Sequence, residues 1–272
     1  MKSFMALLLP IALAALFPAR PILAGQESSI DIYRKIKPPE QYGSVVMNKG
    51  ISGEKGLRPV VFPHWPHRVG YSCKACHTDL GFKLRANTTE IKQSDIEAGR
   101  YCGRCHDGKT AFGANECERC HSYGLPTPTD KKMEALLKGL PKDDFGNRVD
   151  WALALKEGKI SPVASLDGNG KLKALDSDIV MPATRYSPHP QDVMFPHGAH
   201  TAQMACDTCH PSIFKDEKGG NPDMNMMKII SGQYCGVCHG RVAFPLEDCF
   251  RCHSQPQKNE PAKKGKETGP KK

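Results

Sequence analysis

Long apolar runs are scarce in this 272-residue chain. After the first 25 residues no segment is apolar enough to span a bilayer, which takes about 20 such residues. The opening stretch, MKSFMALLLPIALAALFPARPILAG, has a basic start at Lys2, an apolar run to Phe17 and a small-residue exit at Ala24 and Gly25. Pro10 and Pro18 argue against an anchor, so the layout predicts a signal peptide over 1–24 and no membrane span once it is removed. No cysteine follows the exit, which excludes lipid attachment there. Aromatic residues are few, at 7%, and the 39% of hydrophobic residues includes the signal. A large conventional core is therefore not expected.

No cysteine is left over either. The twelve fall as Cys73/Cys76, Cys102/Cys105, Cys117/Cys120, Cys206/Cys209, Cys235/Cys238 and Cys249/Cys252. An exported chain with an even cysteine count first suggests disulfides. Yet a histidine follows each pair at once: His77, His106, His121, His210, His239 and His253. Neither a disulfide framework nor a zinc site needs histidine after every second cysteine. Cys-x-x-Cys-His is the attachment signature of c-type haem. Two thiols three residues apart on a tight helical turn reach the two vinyl groups of one porphyrin, and the next residue can place its imidazole on the iron. The expected cofactors are six covalently bound haem c groups, with the six motif histidines as proximal iron ligands.

Haem changes the reading of charge. The formal net charge is +9, and loss of Lys2 and Arg20 with the signal lowers it by two. Twelve ionised propionates and one net positive charge per ferric centre bring the holoprotein to about +1 oxidised and about −5 reduced. The basic count is thus no argument for nucleic acid. Much of the lysine lies in the tail, QPQKNEPAKKGKETGPKK, whose composition reads as disordered and solvated, with docking of an acidic partner as the alternative.

The motifs repeat. VVFPHWPHRVGYSCKACH (Val60 to His77) and VMFPHGAHTAQMACDTCH (Val193 to His210) align at an offset of 133. YCGRCHDGKTAFGANECERCH (Tyr101 to His121) matches YCGVCHGRVAFPLEDCFRCH (Tyr234 to His253), one residue shorter. Three motifs per copy imply a duplicated trihaem unit. The expected organisation is a signal at 1–24, an N-terminal segment at 25–42 and a trihaem module at 43–125. A linker follows at 126–175, then a second module at 176–255 and the tail at 256–272. Two short helices are predicted in the linker, around Lys131–Leu140 and Arg148–Glu157, punctuated by Gly139, Pro141 and Gly158. Trp151 reads as a buried anchor there. The haems themselves are expected to be the core, wrapped by a few short α-helices and mostly irregular chain, with little β. Phe62/Phe195, Tyr101/Tyr234 and Phe112/Phe244 recur between the copies and are expected to pack on porphyrin faces.

Six distal positions need ligands. Five further histidines exist, and four form the duplicated pairs His64/His67 and His197/His200; the fifth is His189. Duplication ahead of the first motif of each copy points to iron ligation rather than to surface histidines.

Phe-Pro-His-x-x-His six residues ahead of Cys-x-x-Cys-His, followed by two more such motifs, resembles the trihaem cytochrome c7 family within the class III cytochromes c. The resemblance covers both modules. It implies a compact cluster of low-potential haems for electron transfer. By position, His64 would ligate the haem on Cys73/Cys76 and His67 that on Cys102/Cys105. His197 and His200 would do the same for Cys206/Cys209 and Cys235/Cys238. The family usually supplies its third distal histidine four residues before the second motif, where this chain has Ala98 and Ser231. Met47 and Met181, in SVVMNK and DIVMPA, recur before the FPH histidines and are the first candidates; Met226, Met227 and His189 lack counterparts. His/Met ligation would raise those two potentials above the others.

The resulting expectation is an electron carrier working by haem-to-haem hopping, with no catalytic residues. It would be exported to the periplasm, or held extracellularly or at the outer membrane, and monomeric. Its partners would be other redox proteins: membrane quinol-oxidising cytochromes on one side, outer-membrane or extracellular acceptors on the other. The competing readings are a multihaem reductase with an open haem site and a subunit of an extracellular haem filament.

Overall fold

Proline and glycine, 22 and 25 residues respectively, interrupt the chain often enough to keep every element short. In the computed structural model, residues 37–47, 50, 56–126, 131–167, 172–183 and 191–256 are described. The expected signal peptide, most of the N-terminal segment, His189 and nearly all of the tail lie outside the described residues. Among those described, the longest helix has nine residues. The expectation of few short helices, little sheet and mostly irregular chain agrees with this architecture.

The two copies open alike. β1 (Ser44–Met47) pairs antiparallel with β2 (Val60–Pro63), and α1 (His64–Gly70) starts directly after the proline. In the second copy β3 (Asp178–Met181) pairs with β4 (Asp192–Pro196), followed by α6 (His197–Thr201). A further strand, β5 (His253–Gln255), extends this second sheet to the order β3-β4-β5. Between these elements lie α2 (Gln93–Glu97), α3 (Cys117–Cys120), α4 (Lys131–Gly139) and α5 (Trp151–Lys156). Beyond α6 come α7 (Cys206–Cys209), α8 (Met226–Ile230) and α9 (Cys249–Cys252).

The aliphatic core sits in the connecting stretch. Leu140, Val149, Ala154 and Ile160 are buried together, with Val69, Leu137, Trp151 and Leu155 packed against them. Burying each larger side chain contributes about 1.5–3 kcal/mol. Ala75 is the other buried hydrophobic residue among those described. Of the two helices expected here, the second starts later than its pattern suggested. Arg148 takes a left-handed φ of 65°, and the Asp150 carboxylate accepts from the Leu153 amide at 2.9 Å, capping a helix that begins at Trp151.

This stretch is hydrogen-bonded to both copies. Val163 exchanges backbone bonds with Gly70 and Ser72 at 2.8 and 3.0 Å. Asp79 accepts from the Leu166 amide at 3.0 Å and from the Ser165 hydroxyl at 2.7 Å. At its other end, Asp143 pairs with Arg251 at 2.8 Å. The copies also touch directly: Lys74 N donates to Gln203 O at 3.1 Å, and the Thr78 and Thr208 hydroxyls meet at 3.3 Å.

Candidate metal centres

Each Cys-x-x-Cys-His is a single tight turn. Three are one-turn α-helices (α3, α7, α9), two are 3-10 turns (Tyr101–Arg104, Tyr234–Val237), and Ala75–Asp79 is a π turn. In five of them the histidine amide bonds the carbonyl of the first cysteine: His106, His121, His210 and His239 at 2.8–2.9 Å, and His253 in α9. That closure puts both thiols of a pair on one side of the turn and carries the imidazole out beyond it. All twelve thiols are free. Burial pushes those of Cys76, Cys102 and Cys235 up to about 11 and that of Cys238 up to about 12. These are neutral thiols, and among the described residues no three His, Cys, Asp or Glu side chains converge as a zinc cage requires.

The second motif of each copy is built most tightly. A Cβ on Gly103 would stand 1.9 Å from the Ile96 carbonyl oxygen, and one on Gly236 would stand 1.7 Å from that of Ile229. The preceding residues, Tyr101 and Tyr234, take φ of 49° and 50° to make the approach. A left-handed bulky residue is strained, and its recurrence at equivalent sites shows that the turn requires it. In these two turns the second cysteine is the capping residue that closes the turn. Cys105 and Cys238 fall one residue past their 3-10 turns, at φ of −121° and −114°, with their amides bonded to Cys102 O and Cys235 O at 3.2 and 3.3 Å. Cys105 is half-buried, and its thiol lies beside the Tyr71 hydroxyl.

Ten histidines share one hydrogen-bond habit. His64, His67, His197 and His200 donate through Nδ1 to the carbonyls of Gly43, Pro63, Ser177 and Pro196 at 2.9–3.0 Å. The motif histidines His77, His106, His121, His210, His239 and His253 do so to Phe82, Phe112, Arg58, Phe214, Phe244 and Gln191 at 2.6–3.3 Å. A carbonyl can only accept, so the proton sits on Nδ1 and the lone pair of Nε2 is free for a metal. Burial lowers His64 and His239 to about 4 and draws His67, His77 and His200 down as well, keeping these imidazoles neutral near pH 7.

The rings then meet in facing pairs. His64 faces His77 at a centroid distance of 6.4 Å and 10°, His67 faces His106 at 6.2 Å and 51°, and His200 faces His239 at 6.1 Å and 60°. A metal–imidazole bond is about 2 Å and the nitrogen lies roughly 1.1 Å from the ring centre, so two imidazoles on opposite sides of one ion have centres about 6.2 Å apart. The observed separations fit such a bridge. Among the ring contacts of the described residues, none joins His197 to His210.

Phe62 lies against both rings of its pair, 4.8 Å from His64 and 4.5 Å from His67; Phe195 lies 4.9 Å from His197 and 4.4 Å from His200. Phe112 and Phe244 each sit 4.2 Å from the motif histidine of the second turn. Tyr101 and Tyr234 contact Phe82 and Phe214 at 5.4 and 5.8 Å. These recurrent aromatics therefore brace the imidazoles and their loops.

Met47 and Met181 occupy the same place in both copies. Met47 is opposite Val60 across β1–β2, and Met181 is opposite Val193 across β3–β4. Next to those valines, His121 is tied to Arg58 and His253 to Gln191. In the second copy β5 pairs His253 with the same Val193, so Met181, Val193 and His253 form one row across the sheet. Residues directly opposite one another point to the same face. Met226 and Met227 lie on α8, exposed at 45% and 63%.

Arg68, on α1, went unremarked in the sequence. It is half-buried, with its Nε shut off from solvent; its guanidinium carbon stands 5.3 Å from the Trp151 ring centre, and its Nη1 donates to Val242 O at 3.4 Å. The signal that could have found it is a break in the repeat: at the offset of 133 its counterpart is Thr201.

The sequence profile described as "Cytochrome c7 and related cytochrome c" matches residues 60–122 and 193–254. A solved "c7-type three-heme cytochrome domain" is similar at 33% identity over 32% of this chain and 96% of its own, with a TM-score of 0.26. The C-terminal hexaheme fragment of GSU1996 matches at 25% identity over 80% of this chain and 99% of its own, with a TM-score of 0.25. The dodecaheme cytochrome c GSU1996 matches at 25% over 82% of this chain and 50% of its own, with a TM-score of 0.26. Comparison with curated protein sequences finds no match. The assignment rests on sequence, and it is carried by the regions that hold the paired histidines and all six attachment turns. The chain belongs to the cytochrome c7 family of multihaem c-type cytochromes.

Proposed function

We propose that the chain is a hexahaem electron carrier that passes electrons between periplasmic or outer-surface redox proteins. Membership of the family implies electron transfer, and the finer reading is supported by one observation above the rest. Three imidazole pairs stand 6.1–6.4 Å apart, each ring proton-locked at Nδ1 by a backbone carbonyl. The donor set fits haem c, which when bound supplies a reversible one-electron couple at each site and lets electrons hop between sites.

The holding residues would be the twelve cysteines of the six turns, Cys105 and Cys238 included despite their place just beyond the 3-10 residues. His77, His106, His121, His210, His239 and His253 would take the proximal side. His64, His67, His197 and His200 would take four distal positions, and Met47 and Met181 the remaining two. The chain's own contribution is orientation. The Nδ1 bonds fix each tautomer and raise ligand basicity, while Phe62 and Phe195 brace the two distal rings of each copy. Among the described residues no helix is long and apolar enough to cross a membrane. The partners on this reading are a membrane quinol-oxidising cytochrome as donor and an outer-membrane or extracellular acceptor.

Intact mass and low-temperature EPR of the purified exported protein test this together. The expected result is six haems, with four His/His and two His/Met low-spin centres and no stoichiometric high-spin signal. Bound zinc or fewer than six haems overturns the reading. A full high-spin signal points instead to an open site of the reductase kind, with His197 and His210 the first place to look.

A further inference from the structure

Tyr42 stands two residues ahead of β1 and belongs to no attachment turn. Its hydroxyl crosses to the second copy and donates to the Ala243 carbonyl at 2.7 Å. Its ring lies against the connecting stretch, where a Cβ on Gly146 would stand 3.2 Å from Tyr42 Cε1. The next residue, Gly43, is buried at a φ of 83°, and its carbonyl accepts from both the amide and the Nδ1 of His64, at 3.2 and 3.0 Å. The residue after Ala243 is Phe244, whose carbonyl accepts from His239 Nδ1 at 3.3 Å and from the Gly240 amide at 3.2 Å. One phenol therefore ties together, each at one residue's remove, the carbonyls that orient His64 in one copy and His239 in the other.

The repeat shows that this contact is built for its place. Ser177 does the work of Gly43 in the second copy, accepting from His197 Nδ1 at 3.0 Å, but the residue before it is Asp176, which is exposed. The acceptor side differs as well. In the first copy the loop from His106 to Phe112 uses its alanine carbonyl internally, with Ala111 O accepting from the Gly108 amide at 3.1 Å. The loop from His239 to Phe244 is the one that is a residue shorter. There the glycine amide turns to the phenylalanine carbonyl instead, and Ala243 O is left for Tyr42. The deletion and the tyrosine belong together. The shared Phe244 carbonyl also leaves His239 with the longest of the ten Nδ1 bonds, at 3.3 Å. What a ring's outer nitrogen bonds sets the orientation of a metal-binding imidazole, so this loop needs a hold from outside.

We propose that Tyr42 is a positioning residue for electron transfer between the copies. Its hydrogen bond holds the His239 loop to the strand that anchors His64, and so fixes the imidazoles of two attachment sites, Cys73/Cys76 and Cys235/Cys238, relative to each other. The inference rests on the haem-attachment reading given above.

The test uses the loaded, exported protein with Tyr42→Phe, which keeps the ring and deletes the donor. Intact mass counts the haems, amide exchange reads the loop, and proton NMR of the oxidised protein reads ring orientation through the haem-methyl resonances. Six haems should remain, and the Gly240 and Ala243 amides should exchange about fivefold faster, the ratio that one ordinary hydrogen bond sustains. The methyl resonances of the haems on Cys73/Cys76 and Cys235/Cys238 should move, with the other four sets in place. Leu140→Ala, more destabilising but away from the loop, should move none of the six. Unmoved resonances in Tyr42→Phe overturn the proposal, as does displacement of all six sets or the same displacement in Leu140→Ala. If Tyr42→Phe fails to load, the bond is broken from its acceptor side by exchanging Gly240–Ala243 for the first copy's Asp107–Ala111, and read by the same criteria. A parent protein short of six haems would instead sink the underlying reading.

Discussion

The two repeated copies and the stretch between them are built on different principles. Residues 131–167 hold themselves with side chains: Leu140, Val149, Ala154 and Ile160 are buried against one another. The copies have no comparable cluster among the described residues; what orders them is a set of backbone bonds around histidines and turns. One region carries its core in its sequence, and the other leaves the place of a core to a cofactor. The consequence is that the copies should fail without haem, while the connecting stretch should respond to ordinary core mutations.

Withholding the cofactor gives the largest effect. A chain produced where haem cannot be attached should lose amide-exchange protection throughout both copies, because free imidazole pairs and exposed turns offer too little burial to offset chain entropy. Exchange measured by mass spectrometry checks this, and native-like protection around His64–Gly70 in the haem-free chain would break the comparison. Glycine substitution within the copies comes next. Gly103→Ala or Gly236→Ala drives a methyl into a backbone oxygen that cannot move aside. A loss of about 4 kcal/mol or more, in the exceptional class for one substitution, is expected. Denaturant midpoint and haem yield should both drop.

In the connecting stretch the same kind of measurement should give a smaller loss and a cleaner separation. Leu140→Ala removes a buried side chain at 4% exposure and should cost about 2–3 kcal/mol. Its EPR spectrum should keep the ligand signature of the parent, because none of the ten paired or motif histidines leans on Leu140. Smaller again is Asp143→Asn. The Asp143 side chain is 4% exposed and holds Arg251 inside the last attachment turn. Losing a charge-assisted bond of this kind should cost about 1–2 kcal/mol, read as a lower unfolding midpoint with six haems still bound.

The sequence made the attachment chemistry legible because that chemistry fixes residue type and spacing together. The six turns and the matching positions of Met47 and Met181 follow from the repeat, while the His64–His77, His67–His106 and His200–His239 pairings are those the resemblance to the cytochrome c7 family implies. The form of each turn was less legible. Gly103 and Gly236 lie against a carbonyl seven residues back, a contact that motif spacing does not encode. The connecting stretch was harder still. Leu140, Val149, Ala154 and Ile160 follow no period shared by one element, so their convergence depends on how Pro141 and the Asp150 cap turn the chain. Trp151 was readable as a buried anchor, but not as the plate beneath Arg68. Arg68 and Asp143 act across more than a hundred residues of chain, on Val242 and Arg251. No local pattern encodes such contacts. Only the mismatch of Arg68 with Thr201 hinted at one of them.

The smallest effect sharpens the comparison by changing sign. Gly139 ends α4 without a left-handed φ, and a Cβ built there meets nothing within 4 Å. Gly139→Ala therefore removes backbone freedom from the unfolded chain without creating a clash, and should stabilise by about 0.5–1 kcal/mol or somewhat less at this terminal turn. The substitution that ruins the tight turns at Gly103 and Gly236 should thus raise the unfolding midpoint here. A side-chain-built helix has room for a methyl on its free face. A turn pressed against the preceding carbonyl to present two thiols has none. Were Gly139→Ala as damaging as Gly103→Ala, the end of α4 would have to be as closely packed as an attachment turn, and the division between the two kinds of region would fail.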